Sequence, residues 1–259
     1  MPNSISRRTL IELGLAGASA AIAGNALAQP GLLLEPQDSS PPLPDSEKIG
    51  FAVVGLGKLS QGQIIPGLKT AKGAKLVALV SGHPEKARRI AAEQGLPADA
   101  IYSYDDYDRI AKDPRIQVVY IVLPNSMHAE FTIRALKAGK HVLCEKPMAT
   151  SIADCEAMIA AAKAADRKLM IAYRCHYEPL NLEVMRRMRS GTLGKPRMVV
   201  TNMGRQSDLN ESSDAWRLDM KMSGGGSLAD MGVYGVNASR YILAEEPVEV
   251  RAWAQTDRS

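Results

Sequence analysis

An acid and a phenol four residues apart, Asp230 and Tyr234, follow a run of three glycines, Gly224, Gly225 and Gly226. On a helix that spacing puts both side chains on one face. There a carboxylate can orient a hydroxyl and a phenol can take or return its proton. The same letters also read as a capping box, Ser227-x-x-Asp230, with Tyr234 in the core, and the pattern alone leaves both open. A second group is Glu145-Lys146-Pro147, in which a lysine at the end of an apolar run is either a cation for the same chemistry or a surface charge. A third is Pro124-Asn125-Ser126-Met127-His128. Asn125 or Ser126 can cap the next helix, or the loop can meet a ligand, because ligands bind at the carboxyl ends of strands in α/β sheets.

A fourth group sets the frame for the others. Residues 49–60 read strand, glycine turn, helix: Gly55 permits the tight turn and Gly57 lets the backbone approach a pyrophosphate resting on the helix N-terminus. Ser60 replaces the usual third glycine with another small residue. At a first strand–helix junction this is a dinucleotide signature. The next strand ends in Ser81-Gly82-His83 with no acid for a ribose 2′-hydroxyl, and Lys86, Arg88 and Arg89 follow. A hydroxyl and a cation suit a 2′-phosphate, so the expected cofactor is NADP. One or two of those cations would touch it, the rest being a solvated helix face.

Positioning these groups requires an α/β domain. Apolar runs at 49–54, 75–81, 117–123, 141–144 and 168–172 alternate with helical stretches at 61–71, 84–94, 126–138 and 151–165. Strands apolar on both faces belong in a parallel sheet covered by helices, hence a doubly wound fold. After residue 172 the rhythm changes to a helix at 178–190, a long strand at 195–203, a polar loop, a helix at 227–243 and a strand at 248–254. This is the start of an α+β domain, and the thin sheet it would make looks cut short at Ser259.

The chain has 259 residues, 46% hydrophobic and 23% charged, which excludes disordered and fibrous classes. A net charge of +4 without a basic stripe gives no reason to expect nucleic acid. Cys144, Cys155 and Cys175, an odd set without a C-x-x-C pair, read as buried thiols and not as a disulfide framework or a metal site. Residues 1–28 carry Arg7-Arg8, a short weakly hydrophobic run and Ala26-Leu27-Ala28, the order of a twin-arginine signal peptide. Export in the folded state to the periplasm suits unpaired thiols, and no membrane anchor is expected in the mature form. Residues 29–48 hold Pro30, Pro36, Pro41, Pro42 and Pro44 and read as an extended arm.

Taken together, the glycine turn, Pro124–His128, Glu145-Lys146-Pro147-Met148-Ala149-Thr150, Tyr173-Arg174-Cys175-His176-Tyr177 and residues 224–234 resemble the Gfo/Idh/MocA oxidoreductase family. The likeness is to its sugar-to-sugar members, since most of the family has His where this chain has Tyr234. The resemblance implies a Rossmann domain (49–172) followed by an open-faced antiparallel sheet domain (from 173, incomplete here). It implies NADP retained between turnovers, small sugars as substrates and a homo-oligomer in which the arm wraps a neighbour.

By position, Lys146, Asp230 and Tyr234 would be catalytic. Gly55, Leu56, Gly57, Lys58 and Leu59 would line the pyrophosphate, and Ser81 and Lys86 would hold the 2′-phosphate. Tyr104, Leu123, Asn125, His128, Glu145, Lys146 and Arg174 would surround the ribose and nicotinamide. Trp216 and Arg217 would close over the cofactor, and Tyr177 would touch sugar. The implied reaction oxidises an aldose such as glucose at C1 to the lactone, then reduces a second sugar, fructose to sorbitol. In that scheme Lys146 and the helix N-terminus stabilise a Tyr234 phenolate and Asp230 orients the sugar hydroxyl. An ordinary dehydrogenase with exchangeable NADP and a non-catalytic binding remnant are the alternatives.

Overall fold

The computed structural model describes residues 40–204 and 212–253, with side chains for all but residues 212–214. The leader, most of the proline arm and residues 254–259 lie outside the described residues.

Six strands form one parallel sheet: β1 (Ile49–Val54), β2 (Ala74–Val80), β3 (Ile101–Tyr102), β4 (Val118–Ile121), β5 (His141–Glu145) and β6 (Leu169–Ala172). Their order is β3-β2-β1-β4-β5-β6, the doubly wound arrangement whose ligand crevice lies where the order reverses, between β1 and β4. Helices α1 (Ile65–Thr70), α2 (Pro84–Gln94), α3 (His128–Lys137) and α4 (Ile152–Ala165) connect them. The apolar runs are buried on both faces: Ala52, Val54, Val80, Val119 and Ile121 join one core cluster and Val53 and Leu79 another. β3 is two residues long, too short to register as an apolar run.

The register aligns the strand ends. Val54 pairs with Val80 on one side and Ile121 on the other, and Glu145 pairs with Ala172. Gly55, Val122 and Lys146 therefore leave the sheet along one rim. The first helical stretch opens as a π-helical turn, Ser60–Ile64, before α1. Ser60 is buried and its hydroxyl donates back to the Gly55 carbonyl, closing the turn as a third glycine would by close packing.

Beyond β6 come α5 (Pro179–Arg189), α6 (Met220–Ser223) and α7 (Val233–Leu243), the last preceded by a π-helical turn Leu228–Gly232. The expected strands at 195–203 and 248–254 do not form among the described residues. A strand requires a ladder partner, and neither segment has one there. Their alternating apolar side chains, Met198 and Val200, Val248 and Val250, stay exposed. The segment 195–203 lies against α7, with Thr201 beside Gly235. The end of the proline arm returns to its own chain: Leu43 N–H donates to Lys72 O at 2.9 Å.

The opposite rim is closed by a polar cluster. Asp113 is buried, accepts from Arg115 Nη2 at 2.7 Å and from the Tyr102 hydroxyl at 2.8 Å, and its carbonyl accepts from Lys140 Nζ at 2.8 Å. The guanidinium of Arg115 holds its carboxyl down to about 2. Because that lies below the unfolded value of about 4, the stabilisation is complete at neutral pH and fades as pH falls from about 4 to about 2. Asp113→Asn should make stability depend less steeply on pH in that window, by thermal denaturation. Equal acid slopes in the two proteins would show that the cluster contributes nothing.

Candidate active site

A cleft of about 430 Å³ opens on the aligned rim at the switch point. Gly55, with φ +89°, turns the chain into it, in a conformation side chains rarely adopt. Gly57 lines the cleft, and nothing lies within 4 Å of where a Cβ would stand. Leu56, Lys58 and Leu59 complete this floor. At one end lie Ser81, His83, Lys86 and Tyr104; Ser81 is buried and accepts the His83 N–H at 3.1 Å. The acids of the lining, Glu145 and Asp230, belong to the end of β5 and the turn before α7, and no acid comes from the end of β2. Arg88 and Arg89 pair instead with Glu85 and Glu93 on their own helix. An open cradle over a glycine turn, with Ser81 and Lys86 and no acid beside them, fits a phosphorylated dinucleotide.

Two of the candidate catalytic residues, Lys146 and Asp230, meet across the cleft, and Tyr234 stands outside its lining. Lys146 Nζ donates to Asp230 Oδ1 at 2.7 Å and also to the Asp230 carbonyl. Arg217 Nε reaches Asp230 Oδ2 at 3.2 Å, and its guanidinium lies over the Trp216 ring at 4.4 Å. Lys146, Asp230, Trp216 and Arg217 all line the cleft. Ser227 makes no side-chain cap, so Asp230 is turned to the two cations and not to its own helix.

Tyr234 differs from expectation. Lys146 Nζ lies over its ring, 4.9 Å from the centroid, and not against its hydroxyl. The cation that eases ionisation of that hydroxyl is Arg174. Burial raises the Tyr234 phenol above its ordinary value, the charge of Glu145 adds to the rise, and Arg174 opposes it. The helix N-terminus gives little help, because the π-helical turn places the helical end at Leu228, over a turn before Tyr234.

Four further residues carried over by resemblance depart from their expected places. His128 is 0% exposed, its Nε2 2.9 Å from Leu123 O and its Nδ1 2.8 Å from Pro147 O. It ties the loop after β4 to the Lys146–Pro147 turn instead of lining the cleft. Burial lowers its basicity and the two carbonyls oppose that. Tyr177 is 57% exposed and packs edge-on against His176, outside the cleft lining. Tyr104 lies at the Ser81 end, its ring against Gly82 and Phe131, away from Lys146. Arg174, outside the lining, bonds Gln63.

Leu123 and Asn125 do line the cleft. Asn125 is no cap: its Nδ2 donates to Ser223 O at 2.8 Å, joining the rim to α6. Reading the sequence missed Tyr120, whose hydroxyl donates to Glu145 Oε1 at 2.7 Å. A tyrosine inside an apolar strand was the available signal.

Residues 49–173 match the model of an oxidoreductase family with an NAD-binding Rossmann fold, and residues 181–259 match the GFO/IDH/MocA C-terminal domain. An aldose-aldose oxidoreductase from Caulobacter crescentus, solved with glycerol, is 48% identical with a TM-score of 0.74, over 78% of this chain and 59% of that one. A D-xylose 1-dehydrogenase [NADP(+)] from Haloarcula marismortui is 35% identical over 78% of this chain and 56% of its own length. An inositol dehydrogenase homolog from Azotobacter vinelandii, solved with NAD+, is 28% identical with a TM-score of 0.68, over 77% of this chain and 54% of that one. The chain thus spans less than two thirds of the length of these relatives.

Proposed function

The chain belongs to the Gfo/Idh/MocA oxidoreductase family, and from that premise we propose that it is an NADP-dependent sugar oxidoreductase of the glucose–fructose oxidoreductase type. The observation that carries the reading is Lys146 of the cleft lining, bridged to Asp230 and lying over the Tyr234 ring. In this reading the enzyme oxidises an aldose such as glucose at C1 to the lactone, then reduces a second sugar with the same retained cofactor. Gly55, Leu56, Gly57, Lys58 and Leu59 hold the pyrophosphate, Ser81 and Lys86 the 2′-phosphate, and Trp216 and Arg217 close the cleft. NADP held there would supply the hydride acceptor for the first sugar and, once reduced, the hydride donor for the second.

The protein's own groups handle the proton and the orientation. Tyr234 takes the proton of the C1 hydroxyl during oxidation and returns it to the carbonyl oxygen of the acceptor. Its raised affinity for the proton keeps the phenol protonated, the form from which the second role starts. In the first, Arg174 is the cation that makes the phenolate accessible. Asp230 holds Lys146 and orients the sugar hydroxyl.

The domain division extends the proposal: signal peptide 1–28, arm 29–48, NADP-binding domain 49–172 and substrate domain from 173. So do export to the periplasm by the twin-arginine route and assembly into a homo-oligomer. The 48% identity to an aldose-aldose oxidoreductase favours a second reading of the acceptor, another aldose in place of fructose.

The test uses protein purified without added nucleotide. Adding glucose should raise the near-ultraviolet absorbance of reduced nicotinamide by at most one equivalent. Its collapse on adding fructose supports a ketose acceptor, and collapse only with a second aldose supports the other. A rise requiring added NADP means an exchanging dehydrogenase. Binding of NADP without reduction by any aldose would overturn the catalytic reading.

A further inference from the structure

Beneath the Lys146–Tyr234 pair lies a group that nothing above uses. Tyr120 occupies the middle of β4, 9% exposed, paired in register with Leu143 of β5. Its hydroxyl donates to Glu145 Oε1 at 2.7 Å across the sheet, while Glu145 Oε2 accepts the backbone N–H of Lys146 at 3.3 Å. The Glu145 side chain thus spans from the neighbouring strand to the peptide from which Lys146 departs.

We propose that Tyr120 is a positioning residue for the candidate catalytic pair: its buried hydroxyl holds the Glu145 carboxylate, as an anion, where Lys146, Arg174 and Tyr234 converge. The proposal rests on the function given above and deepens it. A carboxylate in partly buried surroundings tends to take up a proton, and burial does push Glu145 upward. The groups opposing protonation are the Tyr120 hydroxyl from β4, the backbone N–H and charge of Lys146 at the end of β5, and Arg174 from the turn after β6. Facing it from α7 is Tyr234, whose ionisation the Glu145 charge resists, and within β5 the Cys144 thiol, which it also pushes up. A donor fixed by a strand interior holds one carboxylate rotamer, which long flexible cations do not. With Phe at position 120 the carboxylate loses that anchor, gains affinity for its proton and frees the Lys146 peptide.

The full chain labelled with ¹³C-carboxyl glutamate allows the Glu145 resonance to be identified by its loss in Glu145→Gln. In Tyr120→Phe its midpoint should move upward by about one unit, a ten-fold gain in proton affinity. The reduction rate of bound cofactor by glucose should fall about ten-fold with NADP content and sugar KM unchanged, and its acid limb should move the same way. An unmoved midpoint overturns the proposal. If Tyr120→Phe does not fold, replacing tyrosine throughout by 3-fluorotyrosine, a stronger donor, should move the midpoint downward, and no movement again overturns it. A wild-type protein that no aldose reduces defeats the proposed function, while the carboxyl titration still decides the role of Tyr120.

Discussion

Tyr234→Phe should lower the rate of hydride transfer from sugar about 10³-fold, the size expected when a positioned acid–base group is lost, while the protein stays folded and keeps its nucleotide. The ring supplies the packing surface for Lys146, and Phe preserves it. What disappears is the hydroxyl beside Arg174. Single-turnover absorbance of the reduced cofactor, with NADP measured in a denatured extract, checks both halves. Turnover near the wild-type rate would remove Tyr234 from the mechanism and leave Lys146 as the proton-handling candidate. Loss of nucleotide together with activity would make the hydroxyl a structural element and not a chemical one.

The second large effect separates two glycines two residues apart. Gly55→Ala should destabilise the protein by at least about 3 kcal/mol. It forces a side chain into φ +89° and places its Cβ 2.3 Å from the Val122 carbonyl, a backbone atom of the neighbouring loop. For a chain of this size that corresponds to a fall in Tm of roughly 6–12 °C. Gly57→Ala meets nothing within 4 Å and should leave Tm nearly unchanged, yet fill part of the cradle and weaken dinucleotide binding. Thermal melting with nucleotide titration separates the two. Equal melting temperatures would mean that the turn after β1 yields more easily than its contacts imply.

The doubly wound sheet was readable because its strands are apolar on both faces, a pattern independent of the rest of the chain. The rim residues were readable by type, since a glycine turn, an Asn loop and a Lys-Pro turn end successive strands. What was hidden is where each side chain turns. Asp230 could cap its own helix or face a cation, and the answer lies 84 residues away, at Lys146. Arg174 and His128 carry atoms suited to a cofactor, but Gln63 and two carbonyls claim them. The segments at 195–203 and 248–254 have a strand's alternation, yet alternation specifies a face and not a partner.

His128 gives the cleft a mechanical property. One ring spans Leu123 on the loop after β4 and Pro147 on the loop after β5, so displacements of the two loops are correlated. A shift of the Leu123 carbonyl is passed through the ring to the Pro147 carbonyl, next to Lys146. The rim therefore responds as a single stiff lever rather than as two independently adjustable fingers, and sequence drift in either loop is constrained by the fit of the other.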